Sequence, residues 1–302
     1  MLIASFFWAI GHPLGRLLLQ KVHPFQLGTV NLWSGFIGLL IFLIASGRVR
    51  EVFKLSYRVI LISMGLGVLG FFLYQILTFS ALSLNPASIN AVLVSNNVVF
   101  IVIFAALILK ERIRPLSILG IVLAIIGVVL VVFNNGFSFG EGSGNINLTG
   151  IVYSLLAALS VALYSVIGKK VLTSNDPIIV TTLAVFSGAV LLTILTSATV
   201  GFSDVLTAGW ITIMTMVLLG FTMIGVAYAI WFVCLKRFPA SQISIYIYLT
   251  PIFAVILSLI ILNEQFTWLF WVGSALILGG IIVTNTFSSR NSIPQNNKQP
   301  KK

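Results

Sequence analysis

Charged residues are scarce in this chain. Of its 302 residues, 8% are Asp, Glu, Lys or Arg, and only six are acidic, whereas an ordinary soluble domain carries about 25% of these four types. A folded domain in water needs polar side chains over much of its surface. Because the chain is 59% hydrophobic, with a mean hydropathy of +1.14, its composition excludes a soluble globular protein and predicts lipid as the surrounding solvent.

Groups that bind metals or catalyse reactions are also few. The single cysteine, Cys234, excludes an intramolecular disulfide and a cysteine metal site. Both histidines lie on or beside the first apolar segment, and H-E-x-x-H is absent. The one G-x-S-x-G sequence, residues 136–140, lies in a Gly-, Ser- and Asn-rich stretch between apolar segments, where no strand-to-helix nucleophile elbow is expected. We therefore expect no metal, no cofactor and no enzymatic activity, and an intramembrane enzyme is the less favoured alternative. Apart from the net charge of +11 nothing indicates nucleic-acid binding, and we expect none.

Long hydrophobic runs are abundant. A helix needs about 20 mostly apolar residues to cross the hydrocarbon of a bilayer. The runs between turn and charge signals predict an all-α polytopic membrane protein with ten transmembrane helices, at residues 2–20, 25–46, 59–81, 86–109, 115–133, 148–168, 178–200, 209–235, 240–262 and 266–287.

The basic residues lie almost entirely in the connections between these spans. With ten spans, 15 of the 17 Lys and Arg residues fall on one side of the membrane, and only Arg16 and Lys21 fall on the other. Lys and Arg accumulate on the cytoplasmic side. The distribution therefore predicts cytoplasmic N- and C-termini.

The sequence repeats itself with an offset of 153 residues. Without a gap, Pro86-Ala87-Ser88 matches Pro239-Ala240-Ser241, and 13 of the 45 positions from 86 to 130 are identical to their partners. Chance similarity between apolar helices would not align prolines, glycines and a glutamate in one register. Each copy holds an odd number of spans, five, so the second copy enters the membrane in the opposite sense. Such inverted five-helix repeats are typical of secondary transporters.

The repeat also divides the chain into segments. The first repeat covers residues 1–133 and the second covers residues 148–287. Residues 134–147, rich in Gly, Ser and Asn, form an extracytoplasmic linker between them. Residues 288–302 form a basic cytoplasmic tail, which we expect to be disordered and to contact anionic lipid.

These features resemble one family. The ten spans in two repeats, the sequence Leu107-Ile108-Leu109-Lys110-Glu111-Arg112-Ile113, the pair Gly120 and Gly127, and Leu262-Asn263-Glu264 are similar to the drug/metabolite transporter superfamily, specifically its EamA-type ten-helix transporters. The resemblance covers essentially the whole chain. It implies a plasma-membrane carrier that exports amino acids, related small metabolites or drugs through a cavity between the repeats.

Polar and aromatic residues within the spans are the candidates for a substrate site, because a polar side chain is costly against lipid and turns inward. Prolines inside spans one and nine predict that these two helices are discontinuous, with hinges or kinks at Pro13 and Pro251. The substrate-binding candidates are Trp8, His12, Arg16, Gln75, Thr78, Asn90, Asn97, Tyr228, Trp231, Gln242, Tyr246 and Thr250.

Several of these residues also have a structural interpretation. His12 could be a neutral histidine bonded to a neighbouring helix, and Arg16 could extend to the lipid headgroups instead of holding a substrate carboxylate. Asn and Thr side chains often join helices. The repeat-equivalent Glu111 and Glu264 are predicted to be structural, binding backbone N–H groups of the next helix or nearby basic side chains.

No acidic residue lies in the middle of a span, so transport is predicted to run either downhill or coupled through His12. We expect alternating access, with a small-molecule substrate and the lipid bilayer as partners and a monomeric or homodimeric carrier. The alternative is a membrane scaffold or sensor that transports nothing. That alternative predicts a sizeable soluble domain or a long loop, whereas the longest connection has 14 residues.

Overall fold

The computed structural model describes residues 1–110, 115–132, 147–237, 246–247 and 249–288. Two π-helical segments, π1 (Val68–Leu73) and π2 (Phe221–Val226), lie inside longer helices. The α-helices of the described residues are α1 (Leu2–Leu18), α2 (Pro24–Ala45), α3 (Val49–Val52), α4 (Tyr57–Gly67), α5 (Tyr74–Leu84), α6 (Ala87–Val94), α7 (Asn97–Ile108), α8 (Pro115–Val132), α9 (Leu148–Ser174), α10 (Pro177–Thr199), α11 (Ser203–Thr207), α12 (Trp210–Gly220), α13 (Ala227–Arg237), α14 (Leu249–Leu262) and α15 (Trp268–Ser288).

The helices confirm an all-α polytopic membrane protein. Within the described residues, six helices are long and apolar enough to cross a membrane: Pro24–Ala45, Tyr57–Leu84, Ala87–Ile108, Leu148–Lys169, Pro177–Thr199 and Trp210–Trp231. Four shorter apolar helices are Leu2–Leu18, Pro115–Val131, Leu249–Leu262 and Trp268–Thr284. Each of the ten predicted spans therefore contains an apolar helix.

The structure repeats with the same 153-residue offset as the sequence. The first and last residues of π1 and π2 differ by 153 positions. The same holds for the helices that precede them, α4 and α12, and for the helices that follow them, α5 and α13. The two non-glycine residues with positive φ among the described residues, Lys110 and Asn263, are also equivalent. The internal repeat thus extends to local backbone irregularities.

Equivalent helices run in opposite directions. Gln26, near the start of α2, donates from Nε2 to the carbonyl of Gly201, just past the end of its counterpart α10, at 3.0 Å. At the other end of the pair, Arg48 follows α2 and forms a 2.9 Å ion pair with Asp176, which precedes α10. The start of each helix therefore lies beside the end of the other.

Polar caps and prolines fix where α2 and α10 begin. His23 accepts a hydrogen bond from the N–H of Phe25 on Nδ1, and its own N–H donates to Oε1 of Gln26. Asp176 accepts from the N–H of Ile178 at 2.9 Å. Pro24 and Pro177 occupy the first helical position, where the missing N–H is of little consequence.

Serine and glycine pairs bring the two copies together. The Cβ of an alanine at Gly220 would meet the Ser34 side chain and the Asn31 backbone, and one at Gly67 would meet Ser187 and the Ala184 backbone. Ser34 and Ser187 are equivalent, as are Gly67 and Gly220. The second helix of each copy thus packs closely against the third span of the other copy, which only residues without a bulky side chain permit.

The prediction that span one is discontinuous is wrong. The helix α1 continues from Leu2 to Leu18 with Pro13 inside it, and neighbouring groups in a membrane protein compensate for the missing hydrogen bond. The interruption in the described part of the chain lies in span four, between α6 and α7, where Ser95 and Asn96 bind carbonyls of the preceding turn through their side chains. Such local bonds compete with the helix. Pro251 lies in the first turn of α14.

Candidate functional site

Aromatic side chains from both copies meet beside π2. The ring centroid of Trp8 on α1 lies 5.7 Å from that of Tyr228 and 6.2 Å from that of Trp231, both on α13. The indole N–H of Trp8 donates to the carbonyl of Met223 within π2 at 3.0 Å. Helix bulges of this kind are frequent at functional sites. Three predicted candidates are therefore in direct contact at the interface between the copies.

Two further aromatic residues extend this group. The ring of Phe71 in π1 lies 6.0 Å from Tyr228 and 5.6 Å from Tyr164 on α9. The Tyr164 ring packs against Gly70. Sequence reasoning missed Tyr164 because its repeat partner is Gly11, and a comparison of positions that are polar or aromatic in both copies passes over it.

His12 begins a buried chain of hydrogen bonds. Its Nδ1 lies 3.0 Å from Oδ1 of Asn90 on α6, Nδ2 of Asn90 donates to Oγ of Ser154 at 3.0 Å, and Ser154 donates to the carbonyl of Gly150 at 2.9 Å. An amide oxygen only accepts, so Nδ1 is the donor and Nε2 of the neutral ring remains an acceptor. The chain joins α1, α6 and α9 and fixes the tautomer of the histidine.

A small cavity of about 10 Å³ lies against His12. Its lining includes the candidates Gln75 and Thr78, both buried, and the Met223 side chain, which covers Gly11. Oγ1 of Thr78 is buried without a hydrogen-bond partner in the described part of the chain. Buried polar groups in proteins are usually satisfied. The hydroxyl, which lies near Tyr74, is thus a candidate hydrogen-bonding group on the wall of the cavity.

One end of the site is closed by charged groups. Arg16 donates to the carbonyl of Leu82 on α5 and interacts electrostatically with Glu264, which follows α14. Glu264 accepts from the N–H of Ala87 at 2.7 Å and from the N–H and hydroxyl of Ser88. Carboxylates stabilise helix N-termini. The backbone N–H groups that Glu264 binds belong to α6 of the other copy, whereas the sequence predicted those of the next helix.

The other candidates are less closely associated with the aromatic group. Tyr246 is 39% exposed, and its carbonyl accepts from the Ser5 hydroxyl at 2.6 Å. Asn97 is partly buried where α7 begins. Thr250 has a buried Oγ1 for which the described residues supply no partner. Gln242 and Glu111 lie outside the described residues.

The side chains around the cavity are of kinds that bind small organic solutes, but at about 10 Å³ the cavity has to widen before it can hold one. Within the described residues, no three His, Cys, Asp or Glu side chains come together as metal ligands would. The groups that converge are indole and phenol rings, amides, hydroxyls and one histidine. Such mostly apolar cavities with a few placed polar groups are typical of small-molecule binding sites.

The inverted repeat of apolar helices, with a polar and aromatic site between the copies, defines a membrane carrier. The model of the EamA-like transporter family matches residues 1–133 and 148–286, and the chain therefore belongs to this family.

Relatives with curated names agree with this class. An uncharacterized transporter of Clostridium kluyveri is 28% identical over 94% of this chain and 91% of its own. The uncharacterized transporter YvbV of Bacillus subtilis is 27% identical over 93% of this chain and 88% of its own. A solved structure described as "Crystal structure of protein" has a TM-score of 0.66 over 96% of both chains at 21% identity, which shows a shared fold.

Proposed function

We propose that this membrane transporter exports amino acids or related small zwitterionic or amphipathic metabolites across the plasma membrane. The observation that carries the proposal is that the Trp8–Tyr228 ring pair and the cavity beside His12 adjoin at Met223 between the two copies: the indole N–H of Trp8 donates to the Met223 carbonyl, and Met223 also lines the cavity. The aromatic faces of the ring pair suit the apolar part of a solute, and they attract an ammonium group. Nε2 of His12 is an acceptor for an N–H of that group.

The absence of an acidic residue from the middle of any span supports this class of substrate. A polyvalent cation would need carboxylates within the site, but the acidic residues of the chain occupy connections and span ends. A zwitterion brings both charges with it, so the site needs no full counter-charge, but its ammonium and carboxylate groups still have to be hydrogen-bonded. The aromatic faces and Nε2 of His12 suit the ammonium group, and amide and hydroxyl donors such as Gln75 and Thr78 suit the carboxylate.

Alternating access follows from the inverted repeat. At one end of the site Glu264 binds the start of α6, and Asn85 and Asn147 exchange two hydrogen bonds between their connections. We infer that these contacts close the extracytoplasmic end, because that end carries only two of the basic residues. Export requires them to break while the opposite end closes.

The test begins with metabolite profiles of cells that express the protein and cells that lack it. Any metabolite that is depleted inside and enriched outside is then measured as flux in reconstituted vesicles. Trp8→Leu is expected to reduce this flux by tenfold or more, since the ring forms one wall of the site. Trp268→Leu, at a position 70% exposed, is the matched control and should retain it.

The same vesicles distinguish the two energy sources. If parent and His12→Ala respond alike to an imposed pH gradient, transport is not coupled through His12. Flux of no solute under any gradient would contradict the proposal and favour the membrane scaffold.

A further inference from the structure

The connection between α2 and α4, residues 46–58, is here called the basic loop. Its apolar residues Val49, Val52 and Leu55 pack against a buried cluster formed by Leu43 and the start of α10. In contrast, Phe53 is 85% exposed and Tyr57 is 75% exposed. The basic loop is therefore held against the protein while two aromatic rings remain outside.

Cations alternate with these rings. Arg50, Lys54 and Arg58 are all exposed, and within the described part of the chain none of them forms an ion pair. Arg48 is different, because it is paired with Asp176 at 2.9 Å. The acidic residue of the basic loop, Glu51, is exposed and leaves an excess of two positive charges among these four side chains.

The inverted repeat supplies an internal comparison at the opposite end of the protein. The counterpart loop, residues 199–211, has Leu206 at 80% exposure and Trp210 at 73% exposure where the basic loop has Phe53 and Tyr57. The positions of the three unpaired cations are occupied in the counterpart loop by Ser203, Thr207 and Ile211.

The two features of the basic loop thus have separate origins. Exposed apolar residues at both ends of a membrane protein are explained by insertion into the bilayer interface, where aromatic residues are enriched. Cations within the loop itself are present at one end alone, since the counterpart loop contains Asp204 and has only Lys21, 3.4 Å from Oγ1 of Thr212, beside it. Held next to two inserted rings, they lie at the level of lipid phosphates, which attract Lys and Arg near an anionic surface.

We propose that the basic loop is a binding site for an anionic phospholipid, with Phe53 and Tyr57 in the interface and Arg50, Lys54 and Arg58 on the headgroup phosphate. The proposal does not depend on which substrate the protein carries. Charge complementarity selects the lipid, and the two rings favour a lipid in a bilayer over a free phosphate.

Native mass spectrometry of the purified full-length chain in detergent tests this site, with phosphatidylglycerol and phosphatidylcholine titrated separately. The parent protein should bind phosphatidylglycerol more tightly. The triple variant Arg50→Gln, Lys54→Gln, Arg58→Gln should lose this preference by on the order of tenfold or more. Twelve basic residues would remain on that side, so the orientation is preserved.

The matched control removes the same charge elsewhere on the same predicted side. Lys298→Gln, Lys301→Gln, Lys302→Gln in the tail should reduce the preference much less, because the tail is expected to contact anionic lipid by charge alone and has no aromatic residue beside its lysines. Equal losses in both triple variants, or no loss in the basic-loop variant, would overturn the proposal. Glycerol phosphate should not displace the lipid, and displacement would show a soluble-phosphate site instead.

Further measurements distinguish a loss of lipid binding from a loss of folding. Each variant is compared with the parent by thermal midpoint in phosphatidylcholine, and the single variant Lys54→Gln should lose part of the preference.

Phe53→Ser with Tyr57→Ser should weaken binding of phosphatidylglycerol, while Leu206→Ser with Trp210→Ser should not. High salt should reduce the preference of the parent and have little effect on the triple variant.

Discussion

Asn90 carries the most consequential polar contact inside the site. It is fully buried, and its amide bonds His12 through Oδ1 and Ser154 through Nδ2. Replacement by leucine keeps much of the volume but leaves the His12 N–H buried without a partner. We expect Asn90→Leu to lower the free energy of unfolding by about 1–3 kcal/mol, measured as a lower thermal midpoint in detergent.

Asn97 provides the comparison for this substitution. It lies seven residues further along the same span and is only partly buried. Asn97→Leu should therefore change the thermal midpoint much less. A similar loss in both variants would show that the bond to His12 contributes nothing beyond the general cost of removing an amide.

At the level of elements, the start of α2 depends on an imidazole. Burial lowers the pKa of His23 below its ordinary value of 6.5, against an opposing effect of Asp204. The cap needs Nδ1 unprotonated, because Nδ1 accepts from the N–H of Phe25. The folded state thus favours neutral His23, and its stabilisation is complete above pH 6.5 and is lost as the pH falls below that value.

His23→Asn tests this dependence. Asparagine is a good N-cap and does not titrate, so the variant should have a thermal midpoint that falls less than that of the parent between pH 7.5 and pH 5.5. Equal slopes in parent and variant would mean that the titration of other groups governs this range.

The order of the elements could be predicted from the sequence more fully than their irregularities. The Ser and Gly positions that repeat after 153 residues were evident, but their crosswise contacts, Ser34 on Gly220 and Ser187 on Gly67, depend on how the copies pack. The interruption in span four was missed because proline is the stronger sequence signal, yet α1 accommodates Pro13 and the Ser95-Asn96 pair ends α6.

The candidate site shows the same limit. Trp8 was found because it shares a helix face with His12 and Arg16, and Tyr228 and Trp231 because their positions are polar or aromatic in both copies. In the structure Trp8 contacts both of the other rings. Phe71 in π1 and Met223 in π2 also contribute to the site. Apart from the equivalent Gly67 and Gly220 beside them, these two segments have no sequence signal. Residues that reach a site because of a helix bulge cannot be identified from helical periodicity.

For the whole molecule, the last helices of the two copies form a close crossing. In α8 and α15, Gly120 lies against Gly280 and Gly127 lies against Gly273. In the repeat, Gly120 is equivalent to Gly273 and Gly127 is equivalent to Gly280. The two contacts, Gly120 with Gly280 and Gly127 with Gly273, are therefore equivalent to each other. Hydrogen bonds between Ser117 and Thr284 continue the contact. This crossing joins the two copies independently of the substrate site.

An alanine at Gly280 would place its Cβ against the carbonyl of Gly120 and 2.7 Å from the backbone N of Ala124, which cannot yield as a flexible side chain would. We expect Gly280→Ala to separate α8 from α15 locally and to lower the free energy of unfolding by about 1–3 kcal/mol. The neighbouring Gly279 has no atom within 4 Å of such a Cβ, so Gly279→Ala should leave the thermal midpoint unchanged or raise it, since alanine favours the helix. Equal effects at these adjacent positions would contradict a tight crossing between the copies.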